Sequence, residues 1–484
     1  MGVTRADEGT DVRMQKAVSA VAGVALALAM LPAGAAPPTG PERPSVGSPG
    51  IGDPYFPQYG NGGYRIGHYD VGVAFDPATE RLTGDTIVTG RATQRLTRFN
   101  LDLVLRASSV WVNGMPARFR HTGRELVVTP RTALREGQRM QVRVVYAGVP
   151  EDVTDDGIKP WFTTPDGAVA VGEPEIAAWW FPSNDHPADK ATFDVDLTVP
   201  RGLQALSNGR LVGVDRADGQ ATWRWTSGAP MATYLAFAAF GRYDMVQGST
   251  ESGRPFLNAF AKSLNPRVDR AARVSIRRTG EVTDFLARTW GRYPFQQIGG
   301  VVTSRNFGFA LENQTRPVYS PAFFSSGRNT SIVVHEMAHQ WFGNAVTVRR
   351  WKNIWLNEGF ATYSEWLWAQ DQGFETTDEQ FDRFYDNFGT KDSFWNIPIG
   401  NPGPRRLFTG AVYDRGAMAV HALGEEVGHE TLRRIGRHWV HRNADGVGST
   451  AEFISLAERL SGRRLGAFFR NWLFSGEKPP RPPT

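Results

Sequence analysis

Two histidines, His335 and His339, stand four positions apart with Glu336 between them, and eighteen residues separate His339 from Glu358. On a helix the two imidazoles lie one turn apart on one face and can converge on a single ion. Glu336 sits about 100° round from His335. There it reaches a water on that ion but stays off the line of the ligands. Glu358 can complete the ligand set. Three protein ligands leave zinc an open fourth position, which separates a catalytic site from a structural one. The pattern therefore predicts one zinc ion per chain beside a carboxylate base. For the five-residue motif alone, the competing reading is a solvated helix face with a buried histidine. Glu358, Thr362 and Glu365 share a face of a second helical stretch. Glu365 is placed to hold a ligand imidazole from behind; the alternative is an ordinary surface carboxylate.

These residues need a scaffold. A chain of 484 residues is too long for one core, so two or three domains are expected. From residue 64 to about 245, short alternating runs such as Val71, Val73 and Phe75 predict an antiparallel β-sandwich or saddle. Asn113-Gly114 signals a tight hairpin. From 246 to 476 the pattern turns mainly helical, with a strand at 298–303. A long helix is expected from Asn265-Pro266 to Gly291, and further helices near 329–343, 354–372, 378–388, 411–426, 429–442, 449–461 and 464–474. The fold class is thus α+β and multidomain. Residues 36–63, rich in Pro and Gly, read as a linker without a core of its own, and the Pro-rich tail 477–484 as frayed.

Residues 1–35 read as a secretory signal: Arg13 and Lys16, an apolar run over 17–31, then Ala33-Gly34-Ala35. Secretion is expected, with an uncleaved anchor as the alternative. No stable membrane insertion is expected after cleavage. The chain has no cysteine, which excludes disulfides, thiolate ligands and a cysteine nucleophile. A formal charge of +5 without a dense basic block argues against nucleic-acid binding.

With Asn357-Glu358-Gly359, the zinc motif resembles that of the gluzincin aminopeptidases of the aminopeptidase N and leukotriene-hydrolase type. The resemblance runs over most of 65–475. It includes Phe181-Pro182-Ser183-Asn184-Asp185, Lys190-Ala191-Thr192-Phe193, Leu206-Ser207-Asn208-Gly209 and Pro230-Met231-Ala232-Thr233-Tyr234-Leu235. It implies a thermolysin-like zinc-peptidase domain after the β domain. The family's GxMEN motif corresponds to Phe309-Ala310-Leu311-Glu312-Asn313, with the glycine displaced to Gly308. By resemblance Glu312 grips a substrate's N-terminal ammonium, and the strand at Ala310 pairs with an extended peptide. Phe309 stands where the family has glycine and can crowd that path. A second amine-binding carboxylate falls at Glu173, with Glu175 as its rival. Tyr413, in Val412-Tyr413-Asp414-Arg415-Gly416, resembles the family's catalytic tyrosine, a donor to the developing oxyanion.

The resemblance implies an aminopeptidase that takes peptides with a free N-terminus; the N-terminal signal adds secretion, and a monomer is expected. The aminopeptidase uses a zinc-activated water with Glu336 as base. A zinc endopeptidase or an epoxide hydrolase on the same scaffold is the alternative. The chain stops soon after Asn471-Trp472-Leu473, where longer members continue into a helical C-terminal domain, so a short form with a more open cleft is expected.

Overall fold

The computed structural model describes residues 45–482, except Asp156 and Ile158. The signal-peptide reading lies outside the described residues. Among these residues no helix is long and apolar enough to cross a membrane.

An eight-stranded sheet forms the first half. Its strand order is Arg210–Ala217, Gln220–Met231, Ala191–Pro200, Tyr64–Asp76, Arg81–Ala92, Arg139–Gly148, Arg106–Val112 and Met115–Pro116. Neighbours are antiparallel except Ala191–Pro200 with Tyr64–Asp76. Alternation decides which face is buried: Tyr69, Val71, Val73 and Phe75 turn inward and their neighbours outward. Asn113 and Gly114 both take positive φ, 51° and 78°, and close the hairpin expected there. Two four-stranded sheets complete this half.

The second half opens with a five-stranded sheet, ordered Tyr243–Ser249, Pro255–Ala261, Ile298–Val302, Val318–Tyr319 and Ala310–Leu311. Among the described residues nine α-helices belong to this half: α1 (Pro266–Ile276), α2 (Thr279–Trp290), α3 (Ser331–Ala338), α4 (Trp355–Asp371), α5 (Thr377–Asn387), α6 (Gly410–Val427), α7 (His429–Asn443), α8 (Thr450–Ser461) and the short α9 (Gly466–Phe469). Asn265 caps α1 through its side chain, with Pro266 at the first turn.

Three expectations are corrected. The single long helix over 265–291 is two helices, because the Thr279 hydroxyl donates to the Ile276 carbonyl at 2.6 Å and takes it from the ladder. Residues 45–63 are not a coreless linker. Asp53 accepts from the Trp351 N–H at 2.9 Å and contacts His186 at 3.2 Å. The Tyr55 hydroxyl bonds Asn401 at 2.6 Å, and Tyr59 is buried against Glu175. The segment is a strap across both halves; its aromatic and acidic side chains, not its prolines, decide its place. The tail is likewise fastened: Lys478 donates to the Tyr385 and Phe388 carbonyls, and Tyr385 donates to Pro479 O.

Two cations, one buried and one half-buried, join the halves. The Arg316 guanidinium, fully buried, donates to the carbonyls of Ser207, Gly209 and Leu257. Lys190 donates to the Asn344 and Ala345 carbonyls at 2.7 and 3.0 Å.

Buried acids around Arg124 give the fold a pH dependence. Burial pushes Glu125 up to about 8, and nearby Asp102 adds to this. Below the usual glutamate range both folded and unfolded chains hold this proton, and its contribution to stability is complete. Between that range and about pH 8 only the folded chain holds it, so stability falls as pH rises; above that the loss is constant. Glu125→Gln is expected to flatten part of this slope and to stabilise the protein at about pH 9 by on the order of 1–3 kcal/mol. Urea midpoints at about pH 5 and about pH 9 check it; identical slopes in parent and variant contradict it.

Candidate active site

The α3 and α4 helices bring the expected metal ligands together. His335 and His339 each present Nε2 to Glu358 Oε2, at 3.3 and 3.5 Å. One ligand atom from each of the three lies within 4.8 Å of the others, and all three side chains are buried. His339 Nδ1 meets the Phe342 carbonyl at 3.0 Å; a carbonyl only accepts, so Nδ1 carries a proton and Nε2 is the nitrogen turned to a metal. His335 Nδ1 meets Glu365 Oε1 at 2.8 Å, which orients that ring in the same sense, and Glu365 also bonds Ser331. Two imidazole nitrogens and a carboxylate oxygen suit zinc in donor type and spacing. Burial raises the Glu358 carboxyl, but the facing His339 and His335 outweigh it and hold it at about 2. It is therefore ionised throughout the neutral range.

Glu336 also points into the site, and one of its oxygens lies with Glu312 and His339 in a second group within 4.8 Å. Burial pushes it up to about 8; the two imidazoles oppose this, while Glu312 and Glu358 add to it. Glu312 is held at both ends. The Tyr234 hydroxyl donates to its Oε1 at 3.0 Å, and Gln340 and Asn344 donate to its backbone carbonyl at 3.1 and 2.7 Å. The sequence reading gave these three residues no role. Tyr234 lies in a quoted landmark and Gln340 directly follows the zinc motif, but only folding shows that they meet at Glu312.

Glu173 and Glu175 part company. Glu175 pairs with Arg124 and accepts from Tyr59, so its partners are already in place. Glu173 Oε1 is buried with no hydrogen-bond partner. Burial and the charges of Glu312, Glu358 and Glu336 all push the Glu173 carboxyl well up. Glu173 is thus the carboxylate that shares the field of the cleft.

Tyr413 stacks on the His335 ring, with centroids 5.8 Å apart. Burial first, then Glu358, Glu173, Glu312 and Glu336, push its phenol well above the ordinary range, so it remains a neutral O–H donor. It opens α6, whose Arg415 donates to five backbone carbonyls, those of Trp472, Trp395, Ile397, Asn471 and Ser475. That saturates the guanidinium and ties α6 to the C-terminal segment.

Ala310 lies in the edge strand Ala310–Leu311, which pairs only with Val318–Tyr319. The Phe309 ring clusters with Phe307 and Phe162, at 4.7 and 6.2 Å between centroids.

The α4–α6 contact explains the glycine in Asn357-Glu358-Gly359. A Cβ on Gly359 would sit 2.9–3.1 Å from the Gly416 backbone, and one on Gly416 would meet Gly359 Cα at 2.8 Å. These two glycines let α4 bring Glu358 and α6 bring Tyr413 to one place. Gly359→Ala is expected to destabilise the protein by about 1–3 kcal/mol, as overpacking does. A denaturant midpoint within error of the parent contradicts this close approach.

Two family models match the chain: the peptidase family M1 domain over residues 293–472 and the peptidase M1 N-terminal domain over residues 67–235. The chain belongs to peptidase family M1. Its β half followed by its helical half is the two-domain M1 fold. A crystal structure of an M1 zinc metallopeptidase from Deinococcus radiodurans superposes with a TM-score of 0.81 at 28% identity, covering 90% of this chain and 99% of that one. A variant of that peptidase was solved with a Tyr-Ser-Ala substrate. Curated M1 relatives include glutamyl aminopeptidase of Sus scrofa, 31% identical over 62% of this chain and 34% of the relative. Aminopeptidase N of Haemonchus contortus is 28% identical over 49% of this chain and 26% of the relative. The chain spans only 23% and 37% of the first two curated relatives' lengths.

Proposed function

We propose that this M1 chain is a zinc-dependent aminopeptidase that is exported and removes residues one at a time from free peptide N-termini. The observation that carries this is the pairing of the zinc-type triad with two buried carboxylates, Glu312 and Glu173. Glu312 Oε1 meets only a neutral hydroxyl, that of Tyr234, among its side-chain hydrogen bonds, and Glu173 Oε1 has no hydrogen-bond partner.

His335, His339 and Glu358 would hold the zinc. When bound, zinc polarises a carbonyl and lowers the pKa of water. Glu336 then takes a proton from the attacking water at its carboxylate and returns it to the leaving nitrogen; a group poised near neutral pH can do both. Tyr413 donates its O–H to the carbonyl oxygen as charge develops there. Glu312, steadied by Tyr234, accepts the substrate ammonium together with Glu173. Their distance from the scissile position counts one residue from the chain end. A blocked N-terminus leaves both acids unpaired and is rejected. The edge at Ala310 can add the peptide as a further strand.

Hydrolysis of aminoacyl-arylamides is expected to fall to background with a chelator and to return on adding zinc. Full activity in the metal-stripped protein contradicts the proposal. Export is checked by whether the purified mature chain begins after residue 35.

A further inference from the structure

A second set of metal-type donors lies where α5, α6 and α7 meet. One ligand atom each of Asp378, His421 and His429 lies within 4.8 Å of the others. His421 Nε2 stands 3.5 Å from Asp378 Oδ1, matching the 3.5 Å between His339 and Glu358. Glu425, one turn after His421 on α6, meets His429 Nε2 at 2.6 Å and orients that ring.

The local sequence builds this cluster. Gly428 takes φ 88° and turns the chain back into α7. A Cβ at Gly424 would fall 2.4 Å from His429 Nδ1, so only glycine there leaves room for that ring against α6. The capping box of α5 uses Thr376 and Glu379, which leaves Asp378 outside it. His421 is 2% exposed, stacks on Phe381 at 4.9 Å, and its Nδ1 has no hydrogen-bond partner. Its ring is thus oriented by packing and by the cluster. The Asp378 side chain is 75% exposed, which gives an ion a way in.

We infer that Asp378, His421 and His429 form a second site for a divalent ion of the zinc class, one that fastens α5 to the α6–α7 turn. Two imidazoles with a carboxylate are the donor set that zinc, cobalt and nickel prefer over magnesium or calcium. The site does not depend on the peptidase reading. A metal there adds a link between α5 and α6 at the far end of the helix that Tyr413 opens.

The test equilibrates the full chain, His429→Gln, Asp378→Asn and His335→Gln with micromolar free zinc. Bound metal is then counted by elemental mass spectrometry, and Tm is read with and without zinc. His429 and Asp378 are partly or fully exposed, so their replacement is compatible with folding, which circular dichroism checks. The expected result is one equivalent fewer in His429→Gln or Asp378→Asn than in the parent, with a smaller zinc-induced rise in Tm. His335→Gln should keep this equivalent while losing the catalytic one. Equal metal content and equal Tm response in the parent and in both the His429 and Asp378 variants overturn the inference.

Discussion

Glu336→Gln is expected to fold, to keep its zinc and to lose roughly 10²–10⁴ in kcat. The amide matches the carboxylate in shape, so the buried pocket of His335, His339 and Glu312 stays filled. It cannot take a proton, however. Zinc content and Tm should match the parent, because Glu336 lies outside the triad of ligand atoms formed by His335, His339 and Glu358. KM should change little if the amine is held elsewhere. A variant that retains a tenth or more of the parent kcat would remove Glu336 from the role of base. A variant that loses zinc would make Glu336 a ligand instead.

The second large effect is expected at the amine anchor. Glu312 is buried, meets the Tyr234 hydroxyl at 3.0 Å and has its backbone fixed by Gln340 and Asn344. Glu312→Gln keeps that frame and removes the charge. Losing one partner of a buried, hydrogen-bonded charge pair costs about 2–5 kcal/mol, which is roughly 30- to 4,000-fold in kcat/KM for substrates with a free ammonium. Glu173→Gln should act on the same substrates, since its carboxylate shares that field. Glu175→Gln makes the control: its partners are Arg124 and Tyr59, so its effect should fall on stability and not on the preference for a free N-terminus. If Glu175→Gln changes that preference and Glu173→Gln does not, the assignment of the two acids is reversed.

The centre of the site was legible in the chain because it rests on local periodicity. Helical spacing alone puts His335 beside His339, and a second helix face carries both Glu358 and Glu365. Both relations hold in the structure. The glycine of Asn357-Glu358-Gly359 was readable as part of a motif, but its cause, contact with Gly416 on another helix, was not. Contacts between distant segments carry no such period. Tyr234 meets Glu312 across 78 positions, and the strap at Asp53 to Tyr59 reads from composition as a linker. The partners that distinguish Glu175 from Glu173, Arg124 and Tyr59, are likewise far from it in the chain. The Asp378, His421 and His429 cluster joins three helices, and its histidines stand eight apart, which matches no metal motif.

The account turns on the link between hydrolysis and a free terminal amine. One peptide, offered with a free and with an acetylated N-terminus and followed by mass spectrometry, tests that link directly. The account predicts stepwise loss of single residues from the free peptide and no cleavage of its acetylated twin. Internal cleavage of the acetylated peptide at a comparable rate would contradict it.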